Sequence, residues 1–189
     1  MRVAFYAPLK PPDSPVPSGD RKMARQLIAC LRSKGYDVKL ISRLKTREPD
    51  GLRHKQIIIK NRSDKIIERL INRYLETDSW QPDVWFTYHM FYKAPDWLGP
   101  AISKALKIPY VIAEASHAPK RNKGEWSFNQ EQVVLALKHA DLVIGLNSND
   151  ECCVKEAISS NCTYAFIKPF VGPDAPTSCG NNRALFRKE

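Results

Sequence analysis

Arg2-Val-Ala-Phe-Tyr-Ala7, Asp20-Arg-Lys-Met-Ala-Arg-Gln-Leu-Ile-Ala-Cys-Leu-Arg-Ser-Lys-Gly35 and Asp37-Val-Lys-Leu-Ile-Ser42 are the stretches that decide the fold. The first is short, apolar and rich in β-formers, and it runs into a Pro-rich loop from Pro8 to Pro17. That pattern predicts a buried strand. In the second, Met23, Leu27, Ile28 and Leu31 form one helical stripe; Ser18 or Asp20 can cap its start, and Gly35 can supply the left-handed residue at its end. The third is a strand again. Strand, helix and strand in about 40 residues make a βαβ unit, whose crossover is right-handed.

The alternation continues outward. Gln56–Ile59 has the composition of a strand, and Ser63–Glu76 that of a helix with Ile66, Ile67, Leu70, Ile71, Tyr74 and Leu75 inward. Further strands are expected at Asp83–His89, Pro109–Glu114, Ala140–Leu146 and Tyr164–Lys168, with helices at Pro100–Lys107, Asn129–His139 and Asn149–Ser159. Such an order predicts an α/β domain: a Rossmann-like open parallel sheet with helices on both faces, spanning residues 1–171. From Gly172 to Glu189 turn formers replace the apolar period, as in a linker or tail.

Composition narrows the classes. The chain has 189 residues, 43% of them apolar, so it can bury a core. It has no apolar run of the roughly 18 residues needed to span a bilayer. Its start lacks the pattern of a signal peptide. Five cysteines without C-x-x-C spacing argue against a disulfide framework or structural zinc and fit a reducing, cytoplasmic setting. The net charge of +10 is uneven: residues 1–80 carry 18 Lys/Arg against 9 Asp/Glu, residues 81–189 carry 12 against 11. That one-sided field suits an anionic partner such as a lipid surface or a phosphorylated substrate, or serves solubility alone. The basic residues flanking the apolar stripe after His54 describe either an ordinary surface helix or one in peripheral contact with anionic membrane. No nucleic-acid recognition module is present.

In open parallel sheets ligands bind beyond the carboxyl ends of the strands, and four loops leave those ends. Pro15–Arg21 brings Ser18, Gly19 and Asp20 to a helix start, where phosphate or sugar hydroxyls can bind, or where an ordinary capped turn suffices. It matches neither G-x-x-x-x-G-K-[ST] nor G-x-G-x-x-G. Thr87–Lys93 is aromatic and carries His89; it either holds a sugar ring or packs over the sheet edge. Glu114-Ala-Ser-His-Ala-Pro-Lys-Arg121 is the richest. Glu114 can bind sugar hydroxyls or orient a histidine, Ser116 adds a hydroxyl, His117 can move a proton, and Lys120 and Arg121 can hold phosphate; otherwise the stretch is a solvated loop. Gly145–Glu151 has the composition of a helix N-cap. Cys152-Cys153 is either a reactive pair or, more simply, ordinary helix packing.

With those loops placed, the chain resembles the N-terminal half of a GT-B glycosyltransferase of the family 4 type. The resemblance covers about residues 1–172. It rests on Met1-Arg-Val-Ala-Phe-Tyr-Ala-Pro8 leading to Pro17-Ser-Gly-Asp20, on Gln81-Pro-Asp-Val-Trp-Phe-Thr-Tyr-His89, and on Pro109-Tyr-Val-Ile-Ala-Glu-Ala-Ser-His117. Ala140-Asp-Leu-Val-Ile-Gly-Leu-Asn-Ser148 and Ile167-Lys-Pro-Phe-Val-Gly172 complete it. It implies a two-domain enzyme that moves a sugar from a nucleotide-sugar co-substrate to a glycan or lipid acceptor, with retention and no bound metal or other cofactor. The acceptor would sit mainly on this half. The family's Gly-rich first loop matches Ser18-Gly19-Asp20 without the frequent Gly-Gly pair, and its His after a middle strand matches His117. Glu114 would work beside His117 in positioning the reacting sugar or acceptor. Nothing after Phe170 matches the donor-binding domain, so the expectation is half of an enzyme, inactive by itself. The alternative is a non-catalytic domain that binds an anionic lipid, a glycan or a protein.

Overall fold

The computed structural model describes residues 1–76 and 78–170. The tail expected from Gly172 onward lies outside the described residues. Six strands build one all-parallel sheet: β1 (Arg2–Tyr6), β2 (Asp37–Ser42), β3 (Val84–Met90), β4 (Tyr110–Ala115), β5 (Leu142–Gly145) and β6 (Thr163–Phe166). Their order across the sheet is β2-β1-β3-β4-β5-β6. Five helices connect them: α1 (Gly19–Ser33), α2 (Arg53–Leu75), α3 (Gly99–Leu106), α4 (Ser127–His139) and α5 (Glu151–Ala157).

The chain reverses its direction of travel at β1. It moves one way to β2 and then back past β1 to β3 and onward. Right-handed crossovers in opposite directions place their helices on opposite faces. The core divides accordingly. Met23, Leu27, Ile28 and Leu31 of α1 pack with Val3, Phe5, Val38 and Phe86. Leu70, Ile102, Val133 and Val154, from α2 to α5, pack with Tyr6, Trp85, Tyr110 and Val143 on the other face. The α/β class with helices on both faces is therefore present.

One expected element is different. Gln56–Ile59 is not a strand but the first turns of α2, which begins at Arg53. The buried residues of this helix are Gln56, Ser63, Leu70 and Tyr74, spaced by whole turns. Ile57 and Ile58 face outward at 40% and 47% exposure, and so does Leu75 at 67%. Three isoleucines in a row look β-like because β-branched side chains favour strands, but here a polar side chain keeps the helical register: Gln56 donates from Nε2 to the carbonyl of Glu125 at 2.9 Å.

Helix ends follow local chemistry. Gly35 has φ of +79°, and the N–H groups of Gly35 and Tyr36 bond back to Arg32 and Leu31 at 2.9 and 3.3 Å. That closes α1 by the left-handed route. Ser18 occupies the N-cap position, yet its side chain does not cap the helix. Cys30, Cys152, Cys153 and Cys162 are free thiols.

A buried polar knot fixes α3 to the sheet. Oδ1 of Asp96 accepts the N–H groups of Leu98 and Gly99, both at 2.8 Å. Its Oδ2 meets the hydroxyls of Thr87 and Tyr110, the latter at 2.8 Å. Gly99 leaves room for this arrangement: an added Cβ would lie 2.8 Å from Cζ of Tyr110 and closer still to the Asp96 carboxylate. Gly99→Ala is therefore expected to cost about 1–3 kcal/mol through overpacking, read as a lowered urea midpoint at unchanged slope.

Candidate functional site

The reversal at β1 leaves a crevice between the loops that follow β1 and β3, the position where open parallel sheets take ligands. A cleft of about 650 Å³ opens there, lined among others by Lys10, Ser18, Asp20, Tyr88, Glu114 and Phe166. A second cavity of about 500 Å³ adjoins it, sharing Lys10 and Asp20 and adding Arg21, Lys45, Arg47 and His89.

Four charged or titratable side chains meet at the boundary. Lys10 Nζ is ion-paired with Asp20 and donates to Ser18 Oγ at 3.0 Å. His89 Nδ1 lies 3.2 Å from Asp20 Oδ1 and 3.8 Å from Glu114 Oε2. This ring nitrogen is buried and lacks a partner in hydrogen-bond alignment, despite the short distance to Asp20. Burial raises the pKa of Asp20, but Lys10, His89 and Ser18 outweigh it and hold the carboxyl below its ordinary value. Its contribution to stability is thus present above the ordinary carboxylate pKa and is lost as pH falls through the lowered one. Burial first, and then the Glu114 carboxylate, push the Tyr88 phenol up, so it stays a protonated donor at the cleft wall.

The backbone beneath these groups is unusual. His89 and Glu114 have φ of 59° and 60°, in the left-handed region. They occupy equivalent places on adjacent strands: Tyr88 pairs with Ala113, and Met90 with Ala115. In a regular strand side chains alternate between faces. The left-handed residue instead turns toward the carboxyl end while Met90 and Ala115 remain buried. For a residue with a Cβ this conformation costs on the order of 1–2 kcal/mol, and such costs collect at functional sites. His89→Gly is expected to be about 1 kcal/mol more stable than His89→Ala, because glycine takes this φ freely. Paired denaturation curves check it. Equal stability would mean that the turn carries no strain.

Of the residues singled out from sequence, Ser18, Gly19, Asp20 and Glu114 line the main cleft, and His89 lines the adjoining cavity. Ser116, His117, Lys120 and Arg121 line neither. The backbone N–H of Ser116 bonds to Met90 at 3.0 Å. His117 Nδ1 is 3.0 Å from the carbonyl of Cys153, which ties the ring to α5. Lys120 and Arg121 stand in a single 3-10 turn, Pro119–Arg121, with the Arg121 guanidinium over the Tyr92 ring at 5.0 Å. Asn147 caps the turn at Ser148–Asp150, accepting from the N–H of Asn149 at 3.0 Å, and it also lines the cleft.

No protein-family model matches the chain, and no curated protein matches it. Sequence reading missed Lys10 and did not set Tyr88 apart within Thr87–Lys93. Lys10 was legible as a cation placed right after the first strand, within ten residues of Asp20; Tyr88 was hidden in the apolar run of β3. Among the described residues no cluster of His, Cys, Asp and Glu has the arrangement of a metal site, and no helix is long and apolar enough to cross a membrane. What remains is a cleft with two carboxylates, an imidazole, a phenol and a lysine. Such a set can accept hydroxyl hydrogens, orient a hydroxyl group and hold a proton near it.

Proposed function

We propose that residues 1–170 form the acceptor-side domain of a retaining glycosyltransferase. The observation that carries this reading is His89 held between Asp20 and Glu114, on left-handed backbone, at the switch point of the sheet. The motif order that resembles the GT-B enzymes of family 4 supports it. In this reading Glu114 accepts a hydrogen bond from the hydroxyl of the acceptor, and His89, beside both carboxylates, orients that hydroxyl. Phe166, 43% exposed at the mouth of the cleft, offers an apolar face to a sugar ring. The acceptor oxygen forms its bond to the anomeric carbon as the bond from that carbon to the nucleotide diphosphate breaks, and the hydroxyl proton passes to the Glu114 carboxylate. A second Rossmann-like domain, which is not among the described residues, would hold the donor.

The test is transfer from UDP- and GDP-sugars to an acceptor pool by the full-length polypeptide, with product followed by mass shift. Glu114→Gln is expected to lose transfer while keeping the fold. Saturable glycan binding with no transfer and no donor hydrolysis would instead favour a non-catalytic glycan-binding domain.

A further inference from the structure

We propose that the cavity beside the cleft binds a phosphomonoester, and hence that the acceptor is phosphorylated. The assignment to the acceptor rests on the transferase reading; the anion site itself does not.

After β2 burial alternates residue by residue, with Thr46 and Glu48 buried and Lys45 and Arg47 exposed. Thr46 is pinned on both sides, its N–H to the carbonyl of Pro8 at 3.0 Å and its hydroxyl to the carbonyl of Pro95 at 2.7 Å. Glu48 is buried too, receiving the N–H groups of Gly51 and Leu52 at 2.6 and 3.0 Å. In extended chain, side chains of successive residues point to opposite sides. Burying Thr46 and Glu48 therefore forces Lys45 and Arg47 outward together, and both line the cavity. Neither has an ion-pair partner among the described residues.

Arg21 supplies the second, independent sign. It is 7% exposed, the deepest cation of the cavity. One guanidinium nitrogen donates to the carbonyl of Val16 at 2.8 Å, while its Nε is buried with no partner. A buried donor left unpaired is costly, and because Arg21 lines the cavity, a small shift of its guanidinium toward an anion there would give it the acceptor it lacks. Arg21 also stands in the first turn of α1, where the positive end of the helix favours negative charge. Asp20 is already matched by Lys10, so Arg21, Lys45 and Arg47 are left in excess. Three cations around one small space suit a dianion with several acceptor oxygens, which is the description of a phosphate ester.

The cavity shares Lys10 and Asp20 with the main cleft. A molecule with its phosphate here and its hydroxyl near Glu114 would span both.

Isothermal titration of the chain with inorganic phosphate and with glucose 6-phosphate, together with co-sedimentation on phosphatidic acid vesicles, tests this without any donor. Lys45→Ala/Arg47→Ala removes two outward-facing side chains and leaves the fold intact. It is expected to weaken binding about tenfold or more for each charge-assisted hydrogen bond to the phosphate that it removes. Arg21→Gln, checked for folding by circular dichroism, is expected to do the same. The control Lys34→Ala/Lys104→Ala, which removes equal charge from exposed sites, keeps wild-type affinity. Binding of the soluble ester supports a soluble acceptor, and binding confined to vesicles supports a lipid phosphate at the same site. Absent binding, or equal losses in the control, overturns the proposal. Intact phosphate binding with no transfer by the full-length polypeptide overturns the transferase reading alone.

Discussion

Replacing Asp96 with alanine is expected to destabilise the protein by about 3–5 kcal/mol. The side chain is fully buried and meets four donors: two backbone N–H groups at the start of α3 and the hydroxyls of Thr87 and Tyr110. Alanine would orphan all four in a space closed to water. Trp85 would also be loosened, since its Nε1–H donates to Thr87 Oγ1 at 3.0 Å. Asparagine is the informative partner. Burial pushes the Asp96 pKa up, only partly offset by its donors. Asparagine keeps the acceptor for Leu98 and Gly99 and presents an NH₂ to the Thr87 and Tyr110 hydroxyls, whose oxygens can turn to accept it. Asp96→Asn should therefore cost about 1–2 kcal/mol.

The sign of the pH effect follows. In the unfolded chain Asp96 loses its proton near the ordinary value of about 3.9, whereas the folded protein holds the proton to higher pH. The contribution to stability is full below the unfolded value and declines as pH rises toward the raised folded one. Wild-type stability measured against Asp96→Asn should thus fall as pH rises above about 4. An Asn variant as damaged as the Ala variant, or a difference that grows with pH, would mean that Asp96 is ionised in the fold.

The second large effect belongs to the proposed transfer reaction. Glu114→Gln and His89→Ala are each expected to lower transfer about 100-fold or more, the low end of what a positioned acid or base contributes. On the barrier, 100-fold is about 2.7 kcal/mol. The two should not be additive, because His89 Nδ1 is 3.8 Å from Glu114 and 3.2 Å from Asp20, so removing one disturbs the other. The double variant should therefore lose little more than the worse single. His117→Ala should leave transfer nearly unchanged, since its ring is tied to Cys153 and lines neither cavity. If His117→Ala abolishes transfer while His89→Ala preserves it, the site has been placed on the wrong histidine.

The strands were legible wherever an apolar run met a turn signal, as at Arg2–Ala7 and Asp37–Ser42. The helical stripe at Met23, Leu27, Ile28 and Leu31 was legible because its period matches one buried face. Gln56–Ile59 failed for a specific reason: local β-propensity pointed one way, and a long-range bond from Gln56 to Glu125 pointed the other. In the site, His89 and Glu114 stood out as polar residues at strand ends, and Asp20 as one at a helix start. Their meeting did not, since it depends on a left-handed turn at two non-glycine positions. The charged row Arg43, Lys45 and Arg47 was obscured by Glu48, whose burial reverses what its charge suggests.

The alternation in Leu44–Glu48 has an evolutionary consequence. One side of this short segment is committed to the core and the other to whatever occupies the cavity. Substitutions at Lys45 and Arg47 can accumulate without taxing the fold, while Thr46 and Glu48 tolerate almost none. Ligand preference in descendants of this chain should then drift through two positions, with stability left where it was.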